Sequence, residues 1–220
     1  MQVYCDFDGT ISTVDTTDHI LEALADPRWR QLEADWVAGR LDAAACMREQ
    51  IALIDGDDAA LDARLAGVAL DSGFEAFAAW CEANAVPLII VSDGVDYFIR
   101  RVLARHGLGH LPIISNQLAG VAGARRLEQP HRRAGCAGGG GVCKCDVVNA
   151  ADVASPPRPL VYVGDGRSDF CVSGRADVLF AKGDLAAYAA ALNRPHHLFQ
   201  TFHEVTARLG GLLAARRTAS

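Results

Sequence analysis

Gln2-Val3-Tyr4-Cys5-Asp6-Phe7-Asp8-Gly9-Thr10 stands at the start of the chain, and its reading decides the rest. Residues 2–5 are a short apolar run of the length and composition of one buried strand. Residues two apart on a strand point the same way, so Asp6 and Asp8, continuing past its end, can face one crevice. Gly9 permits a tight turn and Thr10 offers a hydroxyl. The same punctuation recurs twice. Residues 87–91 run into Ser92-Asp93-Gly94, and residues 160–163 run into Gly164-Asp165-Gly166-Arg167-Ser168-Asp169. Aspartate beside glycine after a strand is ordinary turn chemistry, and any one of these motifs alone reads as a turn or a cap. Three strands that deliver polar groups to one edge build a crevice instead, at the place where open α/β sheets bind ligands. Carboxylates gathered there repel one another without a cation, and an oxygen-only cluster with open positions suits Mg²⁺.

The strand runs at 2–5, 87–91, 112–114, 160–163 and 178–181 alternate with amphipathic segments at 74–84, 95–106 and 145–153. That alternation predicts an α/β fold, a doubly wound parallel sheet covered on both faces. About eighty residues separate the first strand from the second, far more than one crossover needs. Helical patterns at 17–25, 28–38, 42–54 and 59–67 fill the interval, with Leu21, Leu24 and Ala25 on one face and Met47, Ile51 and Ile54 on another. The predicted organisation is a core of residues 1–12 and 73–220 with a helical insertion at 13–72 over the sheet. Residues 116–141, with Gly120, Gly123, Pro130 and the run Gly138–Gly141, read as a hairpin or a loop, and the tail 216–220 reads as frayed.

Composition narrows the function classes. The 220 residues are 50% hydrophobic and 22% charged, an ordinary globular balance, and the net charge of −6 suits a phosphate backbone poorly. No nucleic-acid partner is expected. The longest apolar stretches are far too short to span a bilayer, and the N-terminus carries no basic leader, so no membrane association is expected either. Seven cysteines, an odd and scattered set, do not suggest a disulfide framework, and a reducing cytoplasm is the expected compartment. Neither charge nor cysteine pattern bears on subunit association.

The motifs together resemble the haloacid dehalogenase superfamily. Asp6-Phe7-Asp8-Gly9-Thr10 is similar to its DxDx(T/V) loop, Ser92 to its second motif, Lys144 to the basic residue of its third, and Gly164–Asp169 to its GDxxxD motif. A helical insertion just after the first motif resembles the arrangement called a C1 cap on that Rossmann-like core. The resemblance implies a Mg²⁺-dependent phosphatase acting on a small phosphorylated metabolite. Asp6 would attack phosphorus and form an aspartyl-phosphate, and Asp8 would act as acid and then base. Ser92 would hold a phosphoryl oxygen and Lys144 would offset charge. Asp6, Asp165 and the Asp8 carbonyl would hold the metal, with Asp169 ligating or supporting it.

Within the superfamily the chain resembles the phosphoserine phosphatase-like group, and most of all the methionine-salvage branch that acts on 2-hydroxy-3-keto-5-methylthiopentenyl-1-phosphate. Ser92–Ile99 and the cysteine-flanked Gly141-Val142-Cys143-Lys144-Cys145 carry that likeness, which brings Asp93 and Gly94 into the substrate-contact set. Asp15, nine residues after Asp6, stands where phosphoserine phosphatases place an acidic substrate contact. Gln50 stands where they place an arginine for the substrate carboxylate, and Arg48 is out of phase. Glutamine hydrogen-bonds but makes no bidentate ion pair, which favours a neutral, oxygenated substrate over phosphoserine.

Two other classes compete. A zinc-binding interaction module could use Cys136, Cys143, Cys145 and Cys171, but the C-x₆-C-x-C spacing lacks paired C-x₂-C knuckles. The simpler reading puts Cys5 and Cys171 in the core and Cys143 and Cys145 at a loop or helix start. A receiver-like domain would place its aspartate on the third strand, which here ends in Ser115-Asn116. Arg125, Arg126, His131, Arg132 and Arg133 form a basic stretch best read as a solvated loop.

Overall fold

The structure is a computed structural model that describes residues 1–136, 138–150 and 158–218. Strand β1 (Gln2–Cys5) leads into four helices, α1 (Thr16–Leu24), α2 (Trp29–Val37), α3 (Ala43–Ile51) and α4 (Asp58–Leu65). Then follow α5 (Phe74–Ala83), β2 (Leu88–Val95), α6 (Asp96–Arg105), β3 (Ile113–Ala119), β4 (Arg126–Glu128) and α7 (Lys144–Ala150). The chain ends through β5 (Leu160–Gly164), a 3₁₀ turn at Arg167–Asp169, β6 (Val178–Ala181), α8 (Gly183–Ala191), β7 (His197–Leu198) and α9 (Phe202–Thr218).

The strands form one sheet in the order β4-β3-β2-β1-β5-β6-β7, parallel except for the antiparallel β3–β4 pair. Strand β1 is central, with Val3 opposite Leu88 on one side and Val161 on the other. Its alternation explains why both faces are covered. Val3 and Cys5 belong to one apolar core with Phe74, Phe77, Phe98 and Phe202, and Tyr4 belongs to the other with Tyr162, Leu179 and Leu185.

Aspartates set the starts of three insertion helices. Asp15, Asp42 and Asp57 each accept a backbone N–H three residues on, from Asp18, Ala45 and Ala60. Leu21, Ile51 and Ile54 are buried, and Leu24, Ala25 and Met47 pack against the same core. The insertion therefore shares its apolar interior with one face of the sheet. It is also tied to the β3–β4 hairpin. The Arg125 guanidinium donates to the Gly56 carbonyl and the Asp58 carboxylate, and Gln129 Nε2 donates to the Ala44 carbonyl.

The parallel sheet and the four insertion helices agree with the reading of the sequence, and residues 116–141 do contain a hairpin. Strand β2 extends past its predicted end to Val95, with its register against β3 shifting between Val91 and Val95. Strand β7 and helix α9 carried no earlier signal. Phe202, Val205 and Leu209 make an apolar stripe over only the first two turns of α9, where Phe202 meets Phe74 and Phe77. The tail read as frayed is helical to Thr218, and 219–220 lie outside the described residues, as do 151–153 of the helix predicted at 145–153.

Candidate active site

The carboxyl ends of β1, β2 and β5 converge as their parallel order requires, and the insertion closes over them. Between lies a cavity of about 400 Å³. Asp6, Asp8, Ser92, Asp93, Gly94 and Asp165 line its floor, and Asp15, Asp18, Glu33, Trp36, Met47 and Gln50 line its roof.

Lys144 organises the floor although it does not reach the cavity. It begins α7 and is fully buried. Its ammonium donates to Asp169 Oδ1 at 2.6 Å and Ser168 Oγ at 2.9 Å, and lies 2.8 Å from Asp6 Oδ2. Burial alone would lower its pKa, but Asp169 and Asp6 outweigh burial and hold it above the ordinary lysine range. All three ammonium protons have partners, so Lys144 acts on the carboxylates beside it.

Asp6 Oδ1 accepts the Phe7 N–H at 2.7 Å. Burial, then the Asp169 charge, push its carboxyl well above the usual range, and Lys144 opposes them. Asp165 is raised by burial too, while its Oδ1 accepts the Thr10 hydroxyl. One oxygen each of Asp6, Asp165 and Asp169 lies within 4.8 Å of the other two. One lysine cannot balance three carboxylates, so the donor set and its charge fit a hard divalent cation. Asp169 stands apart within the trio. Its Oδ1 accepts Lys144 and the Tyr162 hydroxyl, and its Oδ2 accepts the Asp165 and Gly166 N–H groups. Four donors saturate that carboxylate, which leaves Asp6 and Asp165 to face the cavity.

Asp8 is held differently. Its Oδ1 accepts both the N–H and the hydroxyl of Thr16, at 2.8 and 2.6 Å, and its Oδ2 lies 3.5 Å from Ser92 Oγ. Burial, then Asp15, raise the carboxyl to about 7, against the Thr16 hydrogen bonds. A group that titrates near neutrality and points into the cavity is suited to move a proton. Gly94 makes room for it, since a Cβ there would overlap Asp8 Oδ2. Its N–H also donates to Ser92 Oγ.

Other residues singled out from sequence have structural partners as well. Asp93 Oδ1 accepts the Val142 N–H, which anchors the glycine run, and a Cβ at Gly140 would collide with that carboxylate. Asp15 lines the cavity and caps α1 with the same carboxylate. Gln50 is buried, and its Nε2 donates to Glu33 Oε2 at 3.0 Å and more weakly to the Trp29 carbonyl. Arg48 turns to Gln129 instead. The basic stretch lies outside the cavity lining. Arg125 is buried rather than solvated, and Arg132 and Arg133 pair with Asp42 and Asp146. Cys171 is half-buried and packs against the apolar core that holds Tyr162 and Val172.

Sequence reading missed Thr16, Tyr162, Glu33 and Asn116. Thr16 looked like any residue of a helix start and Tyr162 like any strand aromatic. Asn116 Nδ2 donates to the Asp93 carbonyl, while its buried Oδ1 has no partner and abuts Gly141. Its place just after the apolar run 112–114 was the one available signal, although β3 continues past it to Ala119.

The chain is 32% identical over 211 residues to the 2-hydroxy-3-keto-5-methylthiopentenyl-1-phosphate phosphatase of Geobacillus thermodenitrificans, covering 94% of each. It is 26% identical over 242 residues to a polyol phosphate phosphatase of Saccharomyces cerevisiae, covering 99% of this chain and 96% of that one. The fold is shared with a probable phosphoserine phosphatase from Vibrio cholerae, with a TM-score of 0.74 at 19% identity over 100% of this chain and 68% of that one. The family model for haloacid dehalogenase-like hydrolases matches residues 3–173, which hold every carboxylate of the cavity floor, and the chain belongs to that family.

Proposed function

We propose that this phosphatase of the haloacid dehalogenase-like family hydrolyses a small, hydroxylated phosphomonoester without a free carboxylate, through Asp6 and Asp8. The observation that carries the reading is the unequal treatment of the two aspartates. Asp6 is buried and fixed by Lys144 and the Phe7 N–H beside Asp165, whereas Asp8 is half-buried, clamped by Thr16 and raised to about 7. Asp6 would attack phosphorus as the bond to the leaving oxygen breaks, and Asp8 would give that oxygen its proton. Asp8 would then take a proton from the water that displaces phosphate from Asp6. Ser92 Oγ, oriented by the Gly94 N–H that donates to it, would hold a phosphoryl oxygen.

Asp6 and Asp165 would hold Mg²⁺, with the Asp8 carbonyl assigned by family likeness and Asp169 orienting the loop behind them. Bound there, the ion would offset charge on the transferring phosphoryl group.

Residues 13–72 act as the cap in this reading, and the cap chooses the substrate. Its contribution to the cavity includes Asp15, Asp18 and Glu33, and Arg167 is the single cation among the described lining residues. A substrate carboxylate would meet carboxylates there, while hydroxyls can donate to them. The named substrates of the Geobacillus and Saccharomyces relatives are phosphates of this neutral, oxygenated kind, which supports the assignment. Among the described residues no helix is long and apolar enough to cross a membrane. The test is a screen with Mg²⁺ of 2-hydroxy-3-keto-5-methylthiopentenyl-1-phosphate, polyol phosphates, sugar phosphates and phosphoserine. A kcat/KM highest for phosphoserine would overturn the substrate class.

A further inference from the structure

Four cysteines meet behind the cavity floor. The Sγ atoms of Cys136, Cys143 and Cys145 all lie within 4.8 Å of one another, and those of Cys143 and Cys145 are 3.4 Å apart. Cys171, from the far side of the 3₁₀ turn, completes the group. Its Sγ lies beside the same loop, since a Cβ at Gly138 would be 3.6 Å from it and 3.7 Å from that of Cys136, and it contacts the Ser168 carbonyl at 3.9 Å. None of the four is in a disulfide, and none lines the cavity. Cys136, Cys145 and Cys171 are half-buried, and while Cys145 and Cys171 pack against the core that holds Tyr162 and Val172, Cys136 does not belong to it.

We propose that Cys136, Cys143, Cys145 and Cys171 form a structural Zn²⁺ site that staples the Lys144 loop to the turn carrying Ser168 and Asp169. A tetrahedral zinc with sulfur at about 2.3 Å places its ligands about 3.8 Å from each other, and the Cys136, Cys143 and Cys145 sulfurs, all within 4.8 Å of one another, are close enough to reach that spacing. The C-x₆-C-x-C spacing argued against zinc because it lacks paired knuckles. The fourth ligand comes from another segment, and folding supplies it. Each ligating thiol releases its proton to solvent, so one Zn²⁺ exchanges for four protons.

The position gives the site its purpose. Lys144 lies between two of the ligands, and Cys171 follows Asp169 by two residues. The Lys144–Asp169 ion pair and the metal therefore join the same two segments from opposite sides. A glycine-rich loop has little stiffness of its own. Zinc would hold it where the lysine must stand.

The experiment measures metal content of the full chain, purified without chelator from zinc-supplemented cells. One tightly held zinc per chain is expected, surviving dialysis against excess Mg²⁺. Cobalt(II) in its place should show thiolate-to-cobalt charge transfer. Cys136→Ser and Cys171→Ser should each lose the zinc. Cys81→Ser, at a buried cysteine elsewhere, and Asp165→Asn, in the carboxylate trio, should keep it. If the cluster variants fail to fold, cobalt spectroscopy of the wild-type chain decides alone. Absence of zinc with no uptake of added Zn²⁺, zinc lost from Asp165→Asn but kept by Cys171→Ser, or a disulfide among these four cysteines in freshly purified protein would each overturn the proposal.

Discussion

Lys144→Met tests the floor of the cavity most directly. Methionine keeps an unbranched apolar stem of similar length, so packing along the chain is largely preserved. What goes is the ammonium, which is fully buried and partnered by Asp6, Asp169 and Ser168 at 2.6 to 2.9 Å. Removing one member of a buried ion pair leaves its partner uncompensated and costs about 3–5 kcal/mol. For a chain of this size each kcal/mol is about 2–4 °C, so the melting temperature should fall by on the order of 10 °C. Asp6→Asn should behave oppositely. A carboxyl whose folded pKa is raised costs stability when it ionises, and Asp6 is raised chiefly by burial. The amide removes that cost while Lys144 keeps Asp169 and Ser168, so stability without metal should hold or rise. Urea unfolding of both variants and the wild type, in chelator at neutral pH, reads the two signs. Both should lose turnover, Lys144→Met by about 10²–10³-fold and Asp6→Asn essentially completely. Lys144→Met within about 1 kcal/mol of wild type would refute the reading of Lys144 as the charge that holds the floor together. Equal destabilisation of both variants would show that the ion pair, not burial, dominates at Asp6.

Chelator should abolish turnover and Mg²⁺ restore it, whereas Ca²⁺, which accepts more oxygens in looser geometry, should inhibit; full activity in excess chelator would remove the metal from the chemistry. Because Asp8 is raised to about 7 and must begin protonated, kcat on an alkyl phosphomonoester should fall above about pH 7. With p-nitrophenyl phosphate, whose leaving group needs no proton, that limb should be missing, and identical profiles would rule Asp8 out as the acid. Gln50→Arg alone should pair with Glu33 and change specificity little. Joined with Glu33→Gln it should shift kcat/KM toward phosphoserine by about 1–2 kcal/mol, and an unchanged ratio in the double variant would remove Gln50 as a selector.

The succession of five strands along the chain, the helices between the first and second of them and the carboxylates that follow three strand runs were all legible in the chain. Each follows from local chemistry: apolar runs of strand length, helical periodicity, and Asp-Gly punctuation where a strand must stop. Helix α9 was not, because its apolar stripe is short and gains meaning only against Phe74 and Phe77. The division of labour among the aspartates was also beyond a linear reading. Asp6, Asp8, Asp165 and Asp169 are chemically identical in sequence. Only the fold gives Asp8 a clamp in Thr16, saturates Asp169 with four donors, and leaves Asp165 facing the cavity. Gln50 lines the cavity, yet its tie to Glu33 depends on two helices meeting, which no spacing encodes. The cysteines make the same point, since three of them are close in sequence and the turn after β5 brings Cys171 to the same glycine loop as Cys136. Local sequence determines which groups arrive at the carboxyl edge of the sheet. Distances between groups far apart in the chain, and hence their charge states and partners, exist only once the helices have packed over it.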